Sequence, residues 1–86
     1  METIKKITEL TGFNEKDLLG KSRKSTLTII RQLHWKKMNE SGYTLTEIAK
    51  IYDRDPSTIF YGINHINDLL SIGDKEVSKI WENIRF

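Results

Sequence analysis

Apolar residues recur along this chain at three- and four-residue spacing, interrupted by glycine and by short polar residues. That period places them on one stripe of a helix. Ile4, Ile7 and Leu10 mark a first amphipathic helix over residues 3–11, with Thr3 as its cap and Gly12 as its end. Asn14 then caps a very short helix, Glu15 to Leu19, which turns Leu18 and Leu19 inward and stops at Gly20. A third, longer helix starts at Ser25 or Thr26 and reaches about Glu40. Its core side is Leu27, Ile30, Leu33 and Met38, while Ile29 and Trp35 widen the apolar arc. Thr28 and the pair Ile29-Ile30 are weak helix formers, a preference that tertiary burial overrides. Ser41-Gly42 ends the segment.

The stretch from Thr44 to about residue 71 reads as two helices joined by a tight turn. Thr44 and Glu47 have the spacing of a capping box, in which hydroxyl and carboxylate each satisfy a backbone N–H at the helix start. Leu45, Ile48, Ala49 and Tyr52 supply one apolar face, and Asp53-Arg54-Asp55 interrupts it. Asp55 suits an N-cap, and Pro56 falls where a missing N–H costs nothing. Ile59, Ile63, Ile66 and Leu70 then line one side of the second helix. Ala49 is small enough to let the two helices cross closely, with Ile59 filling the angle between them. Ile72-Gly73-Asp74 stops and restarts the chain, and Val77, Ile80, Trp81 and Ile84 pattern a last helix over about 75–85. No strand period, repeat, linker or low-complexity run appears. The expected fold is one compact all-α domain, residues 1–86, with five or six helices and a helix-turn-helix at about 44–71.

Composition narrows the function. A length of 86 residues favours one modest core, and 37% apolar with 30% charged residues is a globular balance. The absence of cysteine excludes disulfides and thiolate metal sites, and two histidines make no zinc site. No apolar run approaches the ~20 residues that cross a bilayer, and no signal-peptide core is present, so an intracellular, soluble protein is expected. Asp53 and Asp55 flank Arg54 in a turn with no nucleophile or ligand set beside them, so no enzyme is expected. Gly20-Lys21-Ser22 resembles the end of a P-loop, but Glu15 stands where another glycine is required and a helix precedes it instead of a strand.

Charge distribution says more than the net value of +2. Residues 18–39 hold six basic residues (Lys21, Arg23, Lys24, Arg31, Lys36, Lys37) and no acid, leaving eight basic against twelve acidic residues elsewhere. A cationic face on an otherwise acidic molecule suits an oriented polyanion. The loop Lys21-Ser22-Arg23-Lys24-Ser25 is a candidate arm for phosphates or a narrow minor groove, though such a cluster is also what a solvated turn looks like. In a helix-turn-helix the start of the second helix enters the major groove. There Arg54 has the fork for guanine O6 and N7, and Asp55 can accept from an exocyclic base amine. Ser57 and Thr58 lie where first-turn N–H groups favour phosphate, and the Thr58 methyl can meet thymine. Arg54 and Asp55 also make sense as a purely structural ion pair and cap. Tyr61 and Asn64 face the same way one turn later, while His65 sits beside an inward position. His34 has the same problem as His65. A different class remains open: a protein-interaction module without DNA binding, with Trp35, Tyr43 and Trp81 as exposed anchors.

Several segments together resemble a known family, the C-terminal DNA-binding domain of the bacterial replication initiator DnaA. Asp17-Leu-Leu-Gly-Lys-Ser-Arg-Lys24 is similar to its acid-leucine pair and basic loop, and Arg31-Gln32 to the arginine-glutamine pair of its long helix. Thr44-Leu-Thr-Glu-Ile48 resembles its Ser-Leu-Pro-Glu-Ile segment, and Arg54-Asp-Pro-Ser-Thr-Ile59 its signature Gly-Gly-Arg-Asp-His-Thr-Thr-Val. The tail from Asp74 to Phe86 is similar to the closing helix. Pro56 stands at the signature histidine, Asp53 replaces one glycine and the other is missing. The resemblance implies a Trp-repressor-like fold that binds an asymmetric box in duplex DNA; a monomer is expected, since no coiled-coil seam is present. It implies base contacts at Arg54, Asp55, Pro56, Ser57 and Thr58. Phosphate or minor-groove contacts would come from Lys21, Ser22, Arg23, Lys24, Ser25, Arg31, Thr44, Thr46 and Tyr61. It implies replication initiation or its regulation, in the bacterial cytoplasm or nucleoid, with no cofactor, metal, membrane or small-molecule substrate. The initiator's ATPase domain has no counterpart in this sequence. The chain is then an excised fragment, or a small protein of a phage or mobile element, the second favoured by Met1 standing so close to the first helix.

Overall fold

A computed structural model describes residues 2–21 and 25–84. Six helices follow one another: α1 Glu2–Thr11, α2 Glu15–Leu19, α3 Ser25–Glu40, α4 Leu45–Tyr52, α5 Pro56–Ser71 and α6 Lys75–Ile84. The described residues contain no strand, so the fold is all-α with the higher of the two helix counts.

The helix ends follow local chemistry. The Asn14 side chain accepts from the Asp17 amide at 2.8 Å. Thr44 and Glu47 form both halves of the capping box, with the Glu47 amide donating to Thr44 Oγ1 at 3.1 Å and the Thr44 amide donating to Glu47 Oε1 at 2.9 Å. These bonds favour the charged carboxylate and lower the Glu47 pKa. Asp74 caps α6 through the Val77 amide at 3.0 Å. Two expectations need correction. Helix α1 begins at Glu2, so Thr3 lies inside it and is not the residue before it. Asp55 occupies the N-cap position of α5, but its side chain makes no cap bond. Its backbone carbonyl takes over that role, accepting from the amides of Thr58 at 3.0 Å and Ile59 at 3.3 Å.

The long helix α3 carries the core on two sides. On one, Trp35 and Met38 pack with Ile4 of α1, with Ile48, Ala49 and Tyr52 of α4, and with Ile59 of α5. On the other, Ile30 and Leu33 pack with Ile7, Leu18, Ile66, Val77 and Ile84. Ala49 of α4 and Ile59 of α5 are both buried in the first of these clusters. Leu10 is the exception among the inward-facing residues expected of α1, since it is 40% exposed. Lys36 fastens α3 to α6: its ammonium lies 2.9 Å from Glu40 and 5.2 Å from the centre of the Trp81 ring. No described helix is long and apolar enough to cross a membrane.

Candidate nucleic-acid interface

The turn between α4 and α5 is three residues, Asp53 to Asp55. Asp53 takes the left-handed conformation, φ 53° and ψ 55°, with its amide donating to the Ala49 carbonyl. Aspartate tolerates this region better than most residues that carry a side chain. The next amide, Arg54, also donates to Ala49 O, at 2.9 Å, and the chain then leaves α4 to begin α5 at Pro56. Asp55, Pro56, Ser57 and Thr58 are all exposed, so the head of α5 faces outward.

The short helix α2 ends beside this turn. Arg54 donates from Nη2 to the Gly20 carbonyl at 2.7 Å and from Nη1 to the Tyr52 carbonyl. Lys21 answers from the other side, its ammonium donating to the Asp53 carbonyl at 2.7 Å. A looser ion pair joins the same ammonium to the Asp53 carboxylate at 3.8 Å, with side chains 64% and 98% exposed. A pair that open to solvent contributes little by itself. The described arm residue Lys21 is thus tied through its side chain to the turn that precedes α5. Ser22, Arg23 and Lys24, which carry the rest of the expected arm, lie outside the described residues, as does the Ser25 side chain.

Between α3 and α5 runs an open cleft of about 660 Å³. Thr28, Arg31, Gln32 and Trp35 line it from α3, and Thr58, Tyr61, Gly62 and His65 from α5, with Lys21 and Arg54 at one end. Of the residues expected at DNA, the structure brings Lys21, Arg31, Arg54, Thr58 and Tyr61 together here. Thr44 and Thr46 are exposed at the far end of α4 and do not line the cleft. Lys36 and Lys37 do not line it either, so the described basic residues of the run read from sequence as one face are divided. Thr28, Gln32, Gly62 and His65 are additions to the expected set. A signal for them exists in the chain: residues 28, 31, 32 and 35 and residues 58, 61, 62 and 65 share one spacing, a single helix face repeated on two helices.

Two arginines of the expected set donate to backbone carbonyls. Arg31 is only 4% exposed, and it donates from Nε to Leu18 O and from Nη2 to Asp17 O, both at 2.7 Å. Its guanidinium joins α3 to the carbonyl end of α2, so this charge sits in the cleft wall and not on a protruding side chain. Burial, and next the neighbouring Arg54 charge, lower the Arg31 pKa. The two guanidinium groups thus concentrate positive potential at this end of the cleft. Arg54 is half-buried and points its terminal nitrogens at backbone.

The aromatic anchors of the alternative reading do not form an exposed patch. Trp35 is 5% exposed and sits in the core, while Tyr43 and Trp81 are half-buried. His34 is fully buried, with Nδ1 in a hydrogen bond to the Tyr52 hydroxyl. Burial, and next the Lys37 charge, push the His34 pKa down to about 4.

Comparison with known proteins agrees with this architecture. The family model described as bacterial dnaA protein helix-turn-helix matches residues 1–66. The chain is 29% identical, over 87 aligned positions, to the chromosomal replication initiator protein DnaA of Thermus thermophilus, in two strains of that organism alike. Each alignment covers 99% of this chain and 20% of the relative, so the chain spans about one fifth of the length of these initiators. No solved structure gives a significant match.

Proposed function

Because the chain belongs to the bacterial DnaA helix-turn-helix family, we propose that it binds double-stranded DNA in a sequence-specific manner. In this reading the head of α5 enters the major groove, where Asp55, Ser57 and Thr58 reach base edges and Pro56 offers an apolar surface. The segment that begins at Lys21 and continues through Ser22, Arg23, Lys24 and Ser25 lies along phosphates or in the adjoining minor groove. Tyr61 and the floor of the cleft follow the backbone between these two grips. Thr44 and Thr46 are secondary phosphate contacts at the edge of the footprint. The observation that carries the reading is the pairing of an outward-facing α5 head with the arm root, joined by the Arg54 bond to Gly20 O at 2.7 Å. The chain acts as a monomer on an asymmetric site of the DnaA-box kind. Its role lies in initiation of replication or its control, in the bacterial cytoplasm or on the DNA of a phage or mobile element there.

Selection of bound duplexes from a random library tests this directly. One enriched, non-palindromic motif is expected, with affinity for it falling steeply as salt is raised, because bound phosphates release counterions. A pool that stays random after selection would sink the proposal.

A further inference from the structure

The Arg54 side chain has a second use beside base reading, and its hydrogen bonds support it. A guanine is read by two parallel N–H donors from one edge of the guanidinium fork. Here both terminal nitrogens are already engaged, Nη1 with Tyr52 O and Nη2 with Gly20 O at 2.7 Å. The first acceptor belongs to the end of α4 and the second to the residue that opens the basic arm. We propose that Arg54 is a positioning residue, which locks the root of the basic arm to the helix-turn-helix turn so that the two grips meet one duplex as a preset unit. This assignment rests on the DNA-binding reading above and adds a division of labour within it.

Three further features agree. Lys21 makes the reciprocal tie, from the arm back to Asp53 O at 2.7 Å. Helix α2 is five residues long, too short to hold its own shape, so its carbonyl end depends on outside donors. Arg31 engages the carbonyls of Asp17 and Leu18 while Arg54 takes that of Gly20, so guanidinium groups from α3 and from the turn hold that end between them. Lysine cannot substitute at such a site, because its single ammonium does not span two carbonyls as a planar fork does. Fixing the arm root before binding removes an ordering cost that a loose arm would meet on the DNA.

The test is a double-mutant cycle on the full chain. Arg54→Lys is combined with an arm variant carrying Lys21→Ala, Arg23→Ala and Lys24→Ala. Affinity is measured on the selected duplex and on single-base variants of it, and the helical signal of each protein is recorded. Arg54→Gln takes the place of Arg54→Lys if the latter loses helical signal. With the arm intact, the Arg54 change is expected to weaken binding about tenfold, and with the arm neutralised, less than about twofold. The order of preference among the single-base variants stays as in the unmutated protein. Amide relaxation of the DNA-free Arg54 variant is expected to show added motion at Gly20 and Lys21, with none added at Ser57 and Thr58. Equal losses in both arm backgrounds, or a preference lost at one base position alone, would make Arg54 a base reader and overturn the assignment. Failure of the unmutated protein to prefer any duplex would instead take down the DNA-binding reading, so the two failures are told apart.

Discussion

His34 is a histidine whose surroundings oppose its charge. The ring is fully buried, Nδ1 is joined to the Tyr52 hydroxyl, and Nε2 has no hydrogen-bond partner. Protonation would add a buried charge and leave an N–H without an acceptor. The pKa of about 4 in the folded chain lies below the ordinary 6.5, so the unfolded chain binds the proton more readily. The stability this provides is fully present above about pH 6.5 and is lost as pH falls through about 4. Between pH 7.5 and 4.5 the unfolding free energy should drop by about 2–3 kcal/mol from this group. Denaturant titration at the two values reads the drop, and His34→Gln should make it smaller. An unchanged drop in that variant would assign the acid sensitivity to other groups. The sequence gives no sign of this pair, because positions 34 and 52 come together only when α3 and α4 pack.

At the scale of elements, the cleft lies between α3 and α5, where Trp35 packs against Gly62. A Cβ at position 62 would stand 2.5 Å from Trp35 Cζ3 and 2.7 Å from Cε3. The indole is buried and packs edge-on against Tyr52. Overpacking of this kind costs about 1–3 kcal/mol, more than the ~1 kcal/mol that alanine gains over glycine in a helix. Gly62→Ala is therefore expected to lower the melting temperature by several degrees (about 4–8 °C per kcal/mol in a chain of this size), and a rise would show that α3 and α5 can separate without penalty. Most helix limits were legible in the chain because they rest on near neighbours: Asn14 with Asp17, Thr44 with Glu47, Gly12 and Gly73 at helix ends. The cap bond assigned to Asp55 failed because backbone and side chain compete for the same amides, and sequence does not say which wins. Gly62 was unread for a related reason. A glycine inside a helix looks like a weak point until the ring packed against it is known.

For the whole molecule the distribution of charge matters most. Lys36 is drawn toward Glu40 and Trp81, and Arg31 is turned into the protein, so the cationic run in the sequence is not one surface. Among the described residues of that run, Lys21 remains exposed near the head of α5. Lys21→Ala is expected to weaken matched and scrambled duplexes by the same factor and to reduce the slope of log affinity against log salt by about one. Titrations at several salt concentrations measure both, and a loss confined to one sequence would count against a phosphate role. The hydrophobic period made the fold readable at this scale, and the capping residues placed the helix-turn-helix within it. The cleft was harder to read, because its polar lining depends on which faces of α3 and α5 the core leaves over.

One consequence follows from how α5 begins. Pro56 has no N–H, and the amides of Thr58 and Ile59 are taken by the carbonyl of Asp55. The tip of this helix thus offers fewer bare amides than most for anion capture. Whatever meets it encounters a carboxylate, a proline ring and two hydroxyls, a surface better suited to telling bases apart than to holding a phosphate.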